Sequence, residues 1–295
     1  MHLILRRGPV STALAIAAAV ALAACSDHVS PRTPVLSQAQ ADSMSQVVVA
    51  DAENELDAGS ATSGIGFIPG APSRPALLSP QGCIPQISPL PVANSDADRV
   101  PDSIRVTFTD CVIDFRRGAD TIRGSIDIVD PTPTGTDRSL RLVFTDFARI
   151  FVDRYDHTAS ITVNGSREAI RDSSQLSQTE TDFRTDFVFG NGATASHVRN
   201  WAIDFTADVA GSIVHDGPLP SGVLTIAGAS TFTRNGTTTF DLQVSTPTPL
   251  QFDATCTDRP RFSSGTLVAV VTKDGATSTV TIQFTACGQY TVTRS

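Results

Sequence analysis

Ile104-Arg105-Val106-Thr107-Phe108-Thr109-Asp110-Cys111 alternates apolar and polar side chains, with Ile104, Val106 and Phe108 on one side and Arg105 and Thr107 on the other. Successive side chains of a strand point to opposite faces, so this period marks a strand that is buried on one face and wet on the other. The pattern repeats along the chain. Ile122, Ile126 and Ile128 share a face with Gly124, and Leu140, Leu142 and Phe144 alternate with Arg141, Val143 and Thr145. Phe183, Phe187 and Phe189 follow, then Trp201, Ile203 and Phe205, Leu224 and Ile226, Phe240, Leu242 and Val244, and finally Val280, Ile282 and Phe284. Hairpin signals separate the runs at Asn191-Gly192, Asn235-Gly236 and Asp274-Gly275. About eleven strands are predicted between residues 104 and 294 on this pattern. No helical pattern interrupts them, which argues against a parallel βαβ sheet. The predicted fold is mainly β, an antiparallel up-and-down meander forming a curved sheet, sandwich or barrel, with one N-terminal helix.

The helix is predicted over residues 37–57, where Ala41, Met44, Val48, Ala52 and Leu56 recur at spacings of three and four. Ser37 is placed to cap it and Gly59 to stop it. Residues 58–103 form a Pro/Gly-rich segment carrying an acidic loop, and residues 104–295 form the β domain.

The extreme N-terminus reads as an address. Arg6 and Arg7 precede the apolar run Ala13 to Ala24, which is too short to span a bilayer. The run ends in Leu22-Ala23-Ala24-Cys25, which resembles the lipobox of bacterial lipoproteins. That resemblance implies that residues 1–24 are a signal peptide and that Cys25 becomes the acylated, palmitate-bearing first residue. Residues 25–36 then form a tether. Ser26 follows the cysteine instead of the Asp that resembles an inner-membrane retention signal. The expected location is therefore the outer membrane, facing the periplasm or the cell surface. No later segment has 18 consecutive apolar residues.

Charge and cysteines narrow the classes further. The 295 residues carry 22 Lys+Arg against 30 Asp+Glu, a net charge of −8. Loss of Arg6 and Arg7 leaves 20 basic against 30 acidic residues, or −10. So acidic a chain is unsuited to nucleic acid, whose binders neutralise phosphates with a basic face. Among the five cysteines no pair has C-x-x-C spacing. With Cys25 assigned to lipid, Cys83, Cys111, Cys256 and Cys287 remain for disulfides in an oxidising compartment. Four cysteines allow three connectivities. Cys83–Cys111 and Cys256–Cys287 are the expected pairs, because each closes a short local loop.

The order of these features carries a resemblance. Lipobox, helix and Pro-rich segment are followed by Cys83, an Asp-bearing loop and Ile104 to Cys111. Leu142-Val-Phe-Thr-Asp-Phe147, Ile161-Thr-Val-Asn-Gly-Ser166, Cys256 and Val280 to Cys287 complete it. Across residues 83–294 the chain resembles uncharacterised lipoproteins of Bacteroidota- and Gemmatimonadota-type bacteria, built as a cysteine-bracketed antiparallel β-meander. The resemblance implies an envelope location and no particular activity.

One constellation points to chemistry. Asn94-Ser-Asp96-Ala-Asp98-Arg-Val-Pro-Asp102 resembles calcium loops of the D-x-D-x-D-G-x-P-D type. Oxygen ligands at alternate residues of a tight loop surround a hard cation, here Asn94, Asp96, Asp98 and Asp102. Arg99 departs from the pattern by replacing the glycine of the turn and adding a positive charge. Apart from this calcium, no cofactor is expected. His157, His197 and His215 are dispersed, and no G-x-S-x-G nucleophile motif occurs. Asp182/Asp186 and Asp204/Asp208 are read as solvated strand-face carboxylates. The leading functional reading is a non-catalytic envelope module that binds a protein, glycan or lipid. The alternatives are a carrier holding a lipophilic ligand in the concavity of the sheet and a hydrolase with a site assembled by folding. A filled inner face, an open apolar cavity or a cleft of converging His, Ser and carboxylates would distinguish the three.

Overall fold

The computed structural model describes residues 36–60 and 84–295, apart from residues 99, 116, 117, 136, 156, 215 and 216. The expected signal peptide, the lipidation site Cys25, nearly all of the tether, Cys83 and His215 lie outside the described residues. Among the described residues no helix is long and apolar enough to cross a membrane.

One helix precedes twelve strands. Helix α1 spans Gln38–Ser60. The strands are β1 (Gln86–Ser88), β2 (Ser103–Phe115), β3 (Gly118–Val129), β4 (Arg138–Asp153), β5 (Thr158–Arg171) and β6 (Gln175–Val188). They continue as β7 (Thr194–Ala207), β8 (Gly222–Arg234), β9 (Thr237–Phe252), β10 (Phe262–Lys273), β11 (Ala276–Ala286) and β12 (Gln289–Arg294). All twelve lie in one antiparallel sheet in the order of the sequence. The sheet is open, so of the three expected forms of meander it is neither a closed barrel nor a two-sheet sandwich. Strands β2 to β12 match the expected number of about eleven, although β5, β10 and β12 carry none of the alternating runs named above. The short β1, which pairs Gln86–Ser88 with Arg105–Thr107, falls where the Pro/Gly-rich segment was expected.

The alternation sorts most side chains as expected; the exception is Phe189, expected to share the face of Phe183, which lies beyond the end of β6 and is exposed. Leu140, Leu142 and Phe144 are buried along β4, Trp201, Ile203 and Phe205 along β7, and Val280, Ile282 and Phe284 along β11. These inward residues form two apolar clusters. One lies on β2–β6, and the other joins α1 to β5–β11. Area removed from water at about 25 cal/mol per Å² is the main stabilising term for both.

The long strands are re-phased by bulges. Asp110, Asp146 and Asp182 have positive φ values of 43°, 46° and 46°. Each sits at a register shift, and the three recur at intervals of 36 residues in Thr-Asp-Cys or Thr-Asp-Phe. The backbone N–H groups of Asp146 and Asp182 donate to the side-chain oxygens of Asn164 and Asn200, each at 2.8 Å. Opposite the bulges the neighbouring strand passes too close for a side chain. A Cβ on Gly165 would lie 2.2 Å from the carbonyl oxygen of Asp182, and φ there is +98°. The extra residue lets the inward pattern continue from Phe144 to Phe147 on the same face.

Helix α1 packs its expected stripe, Ala41, Met44, Val48, Ala52 and Leu56, on the sheet. Ser37 caps it through a reciprocal pair. The Gln40 N–H donates to Ser37 Oγ at 3.2 Å, and the Ser37 N–H donates to Gln40 Oε1 at 2.7 Å. The helix continues past Gly59 to Ser60, so glycine is tolerated in the last turn.

Cys256, between β9 and β10, bonds Cys287, between β11 and β12. Cys111 is buried and also disulfide-bonded; its expected partner Cys83 lies outside the described residues.

Candidate functional site

Two polar constellations stand out, one at the acidic loop and one under the helix. The loop runs from Val92 to Asp102 and is tied down at both ends. The Asp102 N–H donates to the Ala93 carbonyl at 3.0 Å, and the Asp130 N–H donates to the Asp102 carbonyl at 3.1 Å. Val100 is buried in the β2–β6 cluster. Of the four expected ligands, the structure brings together Asp96 and Asp98. Asp102 instead accepts from the Ser95 N–H at 2.7 Å and the Ser95 hydroxyl at 2.6 Å. These bonds hold its carboxyl below the usual range. Asn94 is exposed. The third member of the cluster is Asp130, just beyond β3, which the sequence reading missed because it lies outside the loop. Carboxylate oxygens of Asp96, Asp98 and Asp130 lie within 4.8 Å of one another. Burial pushes the Asp98 carboxyl up and the charges of Asp96 and Asp130 add to this, while a bond from the Val100 N–H opposes them.

The second constellation joins α1 to the sheet. Arg167 Nη2 lies 2.6 Å from Glu180 Oε1 and 2.8 Å from Glu55 Oε2. Arg199 reaches Glu180 at 2.9 Å, Glu55 at 3.1 Å and Asp51 at 3.6 Å. Gln178 Nε2 donates to Glu55 at 2.5 Å. Both guanidinium groups lie over Phe183, at 4.8 and 5.2 Å from the ring centroid. Two cations thus face three carboxyls. Burial raises Glu55 and Asp51 against the pull of these arginines, Asp51 to about 6. Half-buried His197 is pushed down to about 4, first by burial and then by Arg199. A second seam pairs Glu53 and Asp57 of the helix with Arg261 and Arg259 of the β9–β10 connection. The sequence signal for these residues was available: Arg167, Glu180 and Arg199 are charges at inward positions of alternating strands.

Glu53, Glu55 and Glu180 are ion-paired and buried beneath α1, whereas Asp51 is partly buried and Asp57 more exposed. Asp186 faces Arg184, Asp204 accepts from Ser177, and Asp208 accepts from Gln251; neither Asp pair is poised around a substrate. His157 pairs with Asp153 at the β4–β5 hairpin, away from His197. Asp253 lies near Cys256 and Cys287, but a disulfide offers no thiolate to a metal. A hollow of about 590 Å³ opens on the outward face, lined in part by Ser88, Arg105, Asp127 and Arg141. Comparisons with protein-family models, curated proteins and solved structures found no match.

Proposed function

We propose that this chain is a lipid-anchored envelope protein whose β domain is a non-catalytic binding or structural module. Lipidation at Cys25, after a signal peptide ending at Ala24, would hold it in the outer membrane. Two acyl signals suffice for stable anchoring at about 0.8 kcal/mol per buried CH₂. The observation that carries the non-catalytic reading is the closed inward face of the sheet. Its apolar residues are buried against one another on β2–β6 and, on β5–β11, also against α1, which supports neither a lipophilic carrier nor an internal catalytic cleft. Contact with a protein, glycan or lipid then falls to the outward face, where Thr, Ser, Asp and Arg side chains alternate with the core. The acidic balance disfavours nucleic acid as partner.

Cys25→Ala should move the protein from the membrane fraction to the soluble fraction; retention in the membrane would refute the anchor. The non-catalytic reading fails if the purified protein turns over any member of a broad panel of ester, peptide and glycan substrates.

A further inference from the structure

Three carboxylates meet where the acidic loop abuts the β3–β4 connection, and their outer contacts are already fixed. Asp130 is 3% exposed, and its Oδ1 accepts from the Thr132 N–H at 2.8 Å and from the Ser139 hydroxyl. Its Oδ2 is enclosed and has no donor. Asp98 Oδ1 accepts from the Val100 N–H at 2.6 Å, and Asp96 Oδ1 accepts from the Asp98 N–H at 3.1 Å. The second oxygen of each of these residues is likewise enclosed without a donor. A buried polar atom left without a partner is costly, and more so when it is charged. Here three such oxygens belong to residues that converge, and one of them is on a side chain almost wholly removed from water.

We propose that Asp96, Asp98 and Asp130 bind one calcium ion, which joins the acidic loop to the β3–β4 connection. The donor set is all oxygen and acidic, which suits a hard cation and not a thiophilic or imidazole-preferring metal. Calcium–oxygen bonds of about 2.3–2.6 Å place ligands on opposite sides of the ion up to roughly 5 Å apart. The 4.8 Å bound on the three oxygens falls inside that span. Calcium tolerates irregular geometry, whereas magnesium demands a near-octahedral site. Water would complete the shell. The site draws on Asp96 and Asp98 from the loop but takes its most buried ligand from the end of β3, 28 residues beyond Asp102. It is independent of the lipid anchor.

The test is calorimetric titration of the purified protein with CaCl₂ after EDTA treatment, paired with thermal unfolding in calcium and in EDTA. The expected result is one site with a Kd between about 10⁻⁵ and 10⁻³ M, and a higher Tm in calcium. Asp98→Asn keeps the oxygen that accepts from Val100 and should weaken binding by at least about tenfold. Asp130→Asn should do the same while keeping acceptors for Thr132 and Ser139. Asp102→Asn, outside the cluster, should leave the affinity unchanged. Absence of a calcium-dependent heat or Tm shift at 10 mM overturns the proposal. So does equal binding of magnesium, or wild-type affinity in a folded Asp98→Asn protein.

Discussion

Asp51 and His197 lie on the same charged seam and titrate in opposite senses. Around them are Glu55 on α1, Arg167 on β5, Glu180 on β6 and Arg199 on β7. The Asp51 carboxyl is raised from 3.8 to about 6, so the folded protein binds its proton more tightly than the unfolded chain does. Its contribution to stability is therefore present below about pH 4 and is lost as pH rises to about 6. Asp51→Asn mimics the protonated form. It should stabilise the protein at pH 7 by roughly 1–3 kcal/mol, and the gap over wild type should close by pH 3.5. His197 has the reverse sign. Its folded value is depressed from 6.5 to about 4, so the stability it contributes is present above pH 6.5 and is lost as pH falls towards 4. His197→Gln should remove that acid-side slope while Asp51→Asn makes it steeper. Urea unfolding at half-unit pH steps reads both slopes. A gap between Asp51→Asn and wild type that stays constant with pH would refute the assignment.

At the scale of the element, α1 is a lid held by an apolar stripe and two charged seams. Leu56 is 1% exposed and packs on the sheet, whereas Val47 is 55% exposed. Leu56→Ala should cost about 2–5 kcal/mol by lost burial and the cavity left behind. Val47→Ala should change stability by less than about 0.5 kcal/mol. Denaturant midpoints of the two variants compare them directly, and equal effects would contradict this packing. The stripe and its cap were legible because helical spacing is local: Ser37 and Gln40 are three residues apart and all five stripe positions lie within one turn of the next. The buried Glu53 and Glu55 were not, because their partners Arg261 and Arg167 are more than 100 residues away. The strands were legible for the same local reason, since burial on one face imposes period two. The bulges break that period, so Phe144 and Phe147 share a face although an uninterrupted strand would place them on opposite sides. Asp96 and Asp98 were found through their spacing in the loop. Asp130 required the β2–β3 pairing that brings Val129 opposite Ser103.

Over the described residues, sequence order equals spatial order in the sheet, so each strand is held by its chain neighbours, and those of β5–β11 also by the helix. Stability in such an array is distributed, with nearest-neighbour contacts dominating, as in repeat proteins. The Cys256–Cys287 bond is then a local clamp. It joins the β9–β10 connection to the β11–β12 turn across 31 residues, at the end of the sheet where the chain finishes. Closing a loop of that length stabilises by roughly 3–4 kcal/mol in the chain-entropy treatment. Replacing both cysteines with serine should lower the stability of the β9–β12 region by that order. Because β2–β6 pair only with one another and with β1 and β7, their amide exchange should change little. Hydrogen exchange resolved by strand checks this: protection should fall in Thr237–Arg294 and persist in Ser103–Val188. An equal loss of protection in both regions would mean that the sheet opens as one cooperative unit, and would refute the picture of a locally held array.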